Sequence, residues 1–593
     1  MKKHTYGSGV IGNCAYIAHV ELDTNISWMC LPRFDSDFIF GGMLDREKGG
    51  EFTIHPESTE FTSSQVYHEN TNILETTVTY GENSYKVTDF APRFKNFDRY
   101  YKPLMLIRKV EAVSGSPKIK IICKPRADRG SRALTASMGS NHISFAGIDQ
   151  ELRLSTNAPL SYVMDEKAFL LTKPVYLVLT FGRPLEAAIE TTSEHFLQAT
   201  TSYWQEWVKS TSIYNFHQKL VLRSALILKI HQYEDTGAII AASTTSLPES
   251  PGSTRNWDYR YCWIRDSYYT LTCFNSLGHF EELEKYFEFI HNLKPGPDGR
   301  YQPLYSITGD SLLTEEISDL DGYMGEKPVR VGNQAYTHIQ NDLYGQVLVS
   351  LLPLYSDQRF TEEERSNSKP MIMNLLNKIE TTMDEKDAGL WEFRNLAQEH
   401  CYTFLFHWAG SCAAAKIGTR LKDDAMYQKA IVLRDLAIGK IEECYLPDRK
   451  AYGQAIGSTY MDASTLQLIT MGYFGDDLER ANDHLKALED ELLAKDFLFY
   501  RYKHMDDFGV PETTFLICAF WYIEALACVG RLDEAVEGFE TLVKYCNHLH
   551  LFSEDVDQKT GSQWGNFPQA YSHVGLMNAA FRIGRKLDRP NFL

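Results

Sequence analysis

A change of hydrophobic period near Ile189 is the feature that most constrains the fold of this chain. Before it, runs such as KIKIICK and VYLVLTF alternate or are β-branched, with glycine, proline, asparagine and aspartate between them. Many such strands without intervening helices predict a large antiparallel sandwich. After it, apolar residues recur at helical spacing. We therefore predict a β-sandwich domain over residues 1–190, a helical linker over 191–235 and a helical domain over 236–593.

The helical part repeats one pattern: an apolar helix, a glycine turn and an amphipathic helix. The turns fall at Gly278, Gly472 and Gly530, where glycine suits the left-handed residue that ends a helix. A helix that is apolar nearly all round is buried on both sides, so stacked hairpins predict a solenoid or a closed ring of helices. Because the repeats are unevenly spaced and long loops interrupt them, a closed ring with a functional mouth is favoured.

Charge and motif content exclude several classes of function. The net charge is 60 − 78 = −18, which disfavours nucleic acid and anionic membrane surfaces as partners. We find no secretory signal and no apolar run of about 18 residues that could span a bilayer. The 11 cysteines form no C-x-x-C pair, and no nucleotide-binding or H-E-x-x-H motif is present, so we expect neither metal nor cofactor. These features predict a cytoplasmic protein.

Two loops of the helical part combine aromatic, charged and amide side chains. The segment TRNWDYRYCWIRDS contains Trp257, Tyr259, Trp263, Arg265 and Asp266, and PVRVGNQAYTHIQNDLYGQ adds neutral amides and Asp342. Aromatic faces stack on the C–H surfaces of pyranose rings, while arginine and aspartate hydrogen-bond to hydroxyl groups. A loop held only by exposed ion pairs would gain little stability from them. The density of these residues therefore predicts a sugar site.

Two further segments supply carboxyl groups for chemistry. Inverting glycoside hydrolysis needs one carboxylic acid and one carboxylate about 6.5–9.5 Å apart. Glu392 in DAGLWEFR is the acid candidate, because an adjacent tryptophan, Trp391, makes the surroundings less polar and favours a protonated carboxyl group. Arg394 acts in the opposite direction. The segment HLFSEDVDQKTG offers three candidates for the base, and the residues alone do not choose among Glu554, Asp555 and Asp557.

Long stretches of the chain resemble glycoside hydrolase family 15, which contains glucoamylases, glucodextranases and bacterial or archaeal trehalases. The stretches are SLPESPGSTRNWDYRYCWIRDS, GLWEFR and LFSEDVDQKTGSQWGNFPQAYSHVGLMNAA, in the family's order. The segment IGNCAYIAHVELDTNISWMCLPRFDSDFIFGGMLD resembles the start of the β-sandwich domain of prokaryotic members, so the resemblance covers almost the whole chain. It implies an N-terminal antiparallel β-supersandwich, a helical linker and a C-terminal (α/α)6 barrel.

The resemblance also implies an activity and roles for residues. Family members hydrolyse α-glucosidic bonds with inversion and release β-glucose. By position in the motifs, Glu392 is the general acid and Glu554 the general base, while Arg265 and Asp266 grip the non-reducing glucose. Six more residues are implied to line the same pocket: Trp263, Trp391, Arg394, Asp342, Trp257 and Tyr259.

We therefore expect an exo-acting glucosidase of the glucoamylase type that acts on α-linked gluco-oligosaccharides. Trehalase is the first alternative, since a chain without a secretion signal also suits a small internal sugar. A non-catalytic carbohydrate-binding or regulatory protein on the same scaffold is disfavoured by the presence of both Glu392 and Glu554. A helical-repeat interaction scaffold would instead present an extended surface without a deep pocket.

Overall fold

The computed structural model describes residues 3–361 and 368–587. Its N-terminal part is a β-sandwich region of antiparallel sheets. The largest sheet has eight strands, in the spatial order Thr135–Met138, His142–Ala146, Leu152–Thr156, Val175–Phe181, Met105–Ser114, Asn83–Phe90, Leu74–Tyr80 and Thr62–Tyr67. A four-stranded sheet contains Ser8–Gly12, Ile17–Glu21, Ile26–Cys30 and Phe38–Phe40, and a three-stranded sheet contains Phe169–Leu170, Lys118–Lys124 and Glu51–Pro56.

Alternating apolar residues of these strands form the core of the sandwich. Residues such as Val20, Ile54 and Val87 are fully buried in one cluster, as strands with one face on a core require. Arg108 and Asp89 form an ion pair within the core, with 2.7 Å between Nε and Oδ1. Arg108 also donates to the carbonyl oxygen of Phe52 at 2.7 Å, so a single buried guanidinium connects the eight-stranded and three-stranded sheets.

The C-terminal part is a ring of helical hairpins, the (α/α)6 barrel that was expected. Within the described residues, the inner helices are Ile264–Leu277, Asp342–Ser356, Cys401–Leu421, Leu466–Thr470, Leu516–Cys528 and Ala570–Leu587. Their outer partners are Phe280–Asn292, Lys369–Thr382, Asp424–Glu443, Leu478–Leu492, Leu532–Leu542 and Gln218–His231. Each inner helix packs on the next, and the last packs on the first, which closes the ring. The helix Ile189–Lys209 precedes the ring and packs on the sandwich strand Val175–Phe181.

Glycine ends the inner helices where the sequence predicted it. Gly278, Gly472 and Gly530 have φ of 81°, 78° and 92°, the left-handed region in which a β-carbon is unfavourable. The helix Cys401–Leu421 ends instead at Lys422, which has φ 54°. The apolar inner helix Leu516–Cys528 is buried along almost its whole length, which confirms that the first helix of this hairpin faces neighbours on both sides.

The sandwich also holds the aromatic loop of the barrel in place. Arg260, in the middle of that loop, donates to both carboxylate oxygens of Asp258 at 2.9 and 2.7 Å and to the carbonyl oxygen of Ser36 at 2.7 Å. Trp28 of the sandwich donates from Nε1 to the carbonyl oxygen of Ser243 at 2.7 Å. The β region therefore stabilises one wall of the barrel mouth. No helix in the described ranges has the length and apolar character that crossing a membrane requires.

Candidate active site

The predicted site residues lie at one end of the barrel because each precedes or begins an inner helix. Arg265 and Asp266 are in the first turn of Ile264–Leu277, and Asp342 begins Asp342–Ser356. Glu392 lies in the loop before Cys401–Leu421, and Glu554 lies in the loop before Ala570–Leu587. The N-terminal ends of these helices all point to the same mouth, where the partial positive charge of the helix ends favours carboxylates and hydroxyl oxygens.

A single pocket at this mouth brings most of the predicted residues together. It is partly open to solvent and is lined by charged and aromatic side chains, which is the usual form of a small-molecule site. Eight of the residues singled out from the sequence line it: Trp257, Tyr259, Trp263, Arg265, Asp266, Trp391, Glu392 and Arg394. Glu554 does not line it, since this residue is 1% exposed and lies behind the lining residue Tyr259, from which it accepts a hydrogen bond. Asp342 does not line it either. Its carboxylate is buried behind Arg265 and accepts from Gln346 at 2.7 Å.

Glu392 is held by three donors that converge on one oxygen. Trp263 Nε1, Gln340 Nε2 and Arg265 Nη2 donate to its Oε1 at 2.7, 3.1 and 3.2 Å. Among the described residues, no donor is bonded to Oε2. The backbone of Glu392 has φ 62°, an uncommon conformation for a side chain larger than glycine and one often found at functional sites. Trp391 turns to Asp462, to which its Nε1 donates at 2.8 Å, so the surroundings of Glu392 are more polar than the sequence indicated.

Glu554 is almost completely buried and also has its own donors. Tyr259 donates from its hydroxyl to Oε1 at 2.7 Å, and the backbone N–H of Asn566 donates to Oε2 at 3.3 Å. A β-carbon on Gly565 would lie 2.5 Å from the Glu554 β-carbon, so glycine is required there. Burial, and next the charge of Glu249, raise the pKa of Glu554 to about 8.

An aromatic pair connects the two carboxyl groups. The rings of Tyr259 and Trp263 meet edge to face, with 5.4 Å between their centroids. Tyr259 bonds to Glu554, and Trp263 bonds to Glu392. Glu392 and Glu554 are therefore oriented from one shared wall, although 162 residues separate them in the chain (554 − 392).

The other two candidates for the base have different surroundings. Both carboxylate oxygens of Asp555 are buried and have no hydrogen-bond partner among the described residues, and burial raises the pKa of this group well above its usual range. Asp557 accepts from the backbone N–H of Lys559 at 2.9 Å and from the Thr560 hydroxyl at 2.6 Å. It therefore stabilises a turn. Glu554 alone of the three is both buried at the site and supplied with donors that favour a carboxylate.

A buried arginine balances the acidic cluster around Glu554. Carboxylate oxygens of Glu249, Glu554 and Asp555 lie within 4.8 Å of one another, a spacing that could suit a metal ion. Arg501 forms a close ion pair with Glu249 inside this cluster, and Trp257 Nε1 donates to the other oxygen of Glu249 at 3.1 Å. The guanidinium thus supplies a positive charge where a cation would otherwise be required, which makes the set a poor metal site.

Arg265 and Asp266 lie at the deep end of the pocket, each 7% exposed. Arg265 donates to Gln340 Oε1 at 2.7 Å as well as to Glu392. Burial, opposed by Arg265, raises the pKa of Asp266 to about 6. This arrangement presents a cationic and an anionic hydrogen-bonding group side by side, as recognition of sugar hydroxyl groups requires.

Several lining residues were missed by the sequence reasoning. They are Glu249, Arg501, Asp507, Phe508 and Tyr571. Glu249 belongs to the stretch SLPESPG that carried the family resemblance, so its proline–glutamate pair was a usable signal. The segment MDDFGV around Phe508 had no such signal, because only the folded ring brings it to the mouth.

Comparisons with known proteins agree with the fold. The family model of glycosyl hydrolases family 15 matches residues 215–581, and a model of the trehalase-like N-terminal domain matches residues 7–167. A trehalase of Thermoplasma volcanium is 32% identical over 98% of this chain and 93% of its own length. A trehalase of Mycobacterium tuberculosis is 31% identical over 95% and 87%. The structure of a bacterial glucoamylase complexed with acarbose has a TM-score of 0.69 at 15% identity, over 98% of this chain and 94% of the other.

Proposed function

The chain belongs to glycosyl hydrolase family 15, and from this premise we propose that it hydrolyses α,α-trehalose with inversion. Glu392 is the general acid and Glu554 the general base in this proposal. The observation that carries it is the aromatic pair Trp263–Tyr259, which orients both carboxyl groups from one wall of a single pocket. An inverting glycosidase needs such a pair of carboxyl groups, one on each side of the scissile bond.

Each carboxyl group has one proposed step, and Glu554 must first lose its proton because its pKa is raised to about 8. The three donors to Glu392 all use Oε1, which leaves Oε2 to carry the proton that passes to the glycosidic oxygen. Glu554 takes a proton from water as the water oxygen attacks the anomeric carbon from the opposite face. The C–O bond to the leaving glucose breaks as the new C–O bond forms. One product is β-glucose, and the other keeps the α-configuration that it had in trehalose.

The choice of trehalose rests on the relatives. Our first expectation was glucoamylase-type hydrolysis of gluco-oligosaccharides, which uses the same acid, base and stereochemistry. The relatives that align along nearly the whole chain carry the name trehalase, whereas the similarity to a bacterial glucoamylase supports the fold. Trehalose therefore has the better support as the substrate. A non-catalytic binding protein is disfavoured because it would not need two carboxyl groups that are held by the same pair of aromatic side chains.

Glucose release from a substrate panel tests the proposal. The panel contains trehalose, maltose, isomaltose, maltoheptaose and dextran, and we expect trehalose to have the highest kcat/KM. NMR of fresh product from trehalose should show equal initial amounts of α- and β-glucose. Initial α-glucose alone would contradict inversion, and higher kcat/KM for maltoheptaose than for trehalose would contradict the substrate.

Variants test the two roles. Glu392→Gln and Glu554→Gln should each lower kcat on trehalose by about 10²–10⁴-fold, the usual contribution of a general acid or base. Asp557→Asn is the matched control, because this neighbouring carboxylate only stabilises a turn, and it should retain wild-type turnover. Near wild-type turnover in Glu392→Gln would contradict Glu392 as the general acid, and the same result in Glu554→Gln would contradict Glu554 as the general base.

A further inference from the structure

The pocket has a deep end and a mouth that differ in exposure. Arg265, Asp266 and Tyr571 at the deep end are each less than 8% exposed. Trp257 and Phe508 are partly exposed and Asp507 is exposed, so these residues form the mouth. Under the proposed function, the glucose whose anomeric carbon is attacked lies at the deep end, beside Arg265 and Asp266. The leaving group of the substrate then lies at the mouth.

A short segment, residues 506–509, crosses this mouth and is fixed on both sides. We refer to it as the strap. On one side, Arg255 donates to the carbonyl oxygen of Gly509 at 2.9 Å and forms a close ion pair with Asp506. Asp506 also accepts from the hydroxyl of Tyr502. The strap is thereby attached to the aromatic loop that carries Trp257.

On its other side the strap is attached to the loop of Glu392. Asp507 accepts from the backbone N–H of Arg394 at 2.6 Å and from the side-chain amide of Asn395, also at 2.6 Å. Arg394 is two residues from Glu392. The strap therefore spans from the aromatic loop to the loop of Glu392, and hydrogen bonds hold it at both ends.

Phe508 of the strap packs at the edge of the mouth in a stack with Trp257 and Arg394. Phe508 meets Trp257 edge to face, with 5.0 Å between ring centroids. The guanidinium of Arg394 lies 4.9 Å from the Trp257 ring and 5.3 Å from the Phe508 ring. Such cation–π contacts are strongest where water is partly excluded. A substrate that extends from the deep end towards solvent has to pass this stack and the strap.

We infer that the strap limits the leaving group to a single sugar and so selects disaccharides over longer gluco-oligosaccharides. The inference rests on the proposed function, because it takes the leaving glucose of trehalose as the occupant of the mouth. It makes Phe508 and Asp507 specificity-determining residues. Their contacts are with the aromatic loop and with the loop of Glu392, and in this inference they face the leaving group rather than the bond that breaks.

Competition against α-D-glucosyl fluoride tests the strap, because fluoride as a leaving group does not occupy the mouth. Maltose and maltoheptaose are added as competitors, and their inhibition constants are measured whether or not they are hydrolysed. In the wild-type chain we expect maltoheptaose to bind at least about tenfold more weakly than maltose, a discrimination that steric exclusion readily supplies.

The double variant Asp507→Ala/Phe508→Ala should remove this discrimination. Its inhibition constant for maltoheptaose should fall by about tenfold, while that for maltose changes much less. Phe508→Ala alone retains the anchors of Asp507 and should show the same direction if the double variant does not fold. Val510→Ala is the control, since this side chain is 46% exposed next to the strap and does not line the pocket. It should behave as the wild type does.

The outcomes separate this inference from the proposed function. Equal binding of maltose and maltoheptaose by the wild type, or an unchanged ratio in both variants, would overturn the role of the strap even if trehalose is hydrolysed. If the wild type does not hydrolyse trehalose but the ratio of inhibition constants for maltoheptaose and maltose is as expected, trehalose is wrong as the substrate and the role of the strap still stands. If the wild type does not hydrolyse α-D-glucosyl fluoride, both the proposed function and the role of the strap are contradicted.

Discussion

Tyr259→Phe is the variant that tests the proposed base most directly. The hydroxyl of Tyr259 donates to Glu554 Oε1 at 2.7 Å, and phenylalanine keeps the ring that packs against Trp263. Loss of one hydrogen bond to a charged acceptor costs about 1.5–3 kcal/mol. At 1.36 kcal/mol per pKa unit, this corresponds to a shift of about one to two units.

The sign of the shift follows from which form the hydroxyl stabilises. Tyr259 donates to the carboxylate, so its removal destabilises the charged form and raises the pKa of Glu554 further above its value of about 8. A general base acts when it is ionised, so kcat/KM on trehalose rises with pH as Glu554 loses its proton. The acid limb of the pH profile should therefore move to higher pH by about one to two units in Tyr259→Phe.

The assay is the pH profile of kcat/KM for trehalose, measured on the wild type and the variant. Tyr261→Phe is the matched control, because this buried tyrosine belongs to the same loop and is not bonded to Glu554. Its acid limb should coincide with that of the wild type. An unmoved limb in Tyr259→Phe, or one displaced to lower pH, would refute Glu554 as the base whose pKa limits the reaction.

Two further predictions concern backbone fit and stability. Gly565→Ala should lower kcat at least about tenfold and should also lower the melting temperature. Gly565 has φ 75°, and the added methyl group would lie 2.6 Å from Glu554 Oε2. Wild-type kcat at an unchanged melting temperature would contradict the requirement for glycine at this position. Glu524 is buried on an inner helix, and burial raises its pKa to about 7, which is above its value in the unfolded chain. Its protonated form therefore contributes to the stability of the folded protein at low pH, and this contribution is lost as the pH rises through about 7. Glu524→Gln should therefore raise the melting temperature relative to the wild type more at pH 8 than at pH 5, and an equal difference at both pH values would contradict the buried carboxyl group as its source.

Local sequence patterns were sufficient to predict the architecture. The change of period near Ile189, the apolar inner helices and the glycines at positions 278, 472 and 530 all report on backbone conformation and burial within a few turns of chain. These properties depend on neighbouring residues. The β-sandwich region and a favoured ring of helical hairpins could therefore be predicted from the patterns, whereas the (α/α)6 barrel was implied by the family resemblance.

The chemistry of the site could be predicted only as a set of candidate residues. The aromatic loop and the two acidic segments indicated a sugar pocket, and eight of the named residues line it. The residue types alone did not choose among Glu554, Asp555 and Asp557, and the family resemblance implied Glu554. The donors of Glu554 were not predicted, because Tyr259 lies 295 residues from it in the chain.

What the sequence determined by itself is the order of the domains, the helical hairpins and the identity of the residues that could act on a sugar. Only the tertiary structure decided the placement of Asp342 behind the pocket, the convergence of three donors on Glu392 and the strap at the mouth. The physical reason is that the spacing of apolar residues along the chain indicates which face of a helix or strand is buried. Partners across a barrel mouth are set by ring closure, which brings loops from distant hairpins within hydrogen-bonding distance.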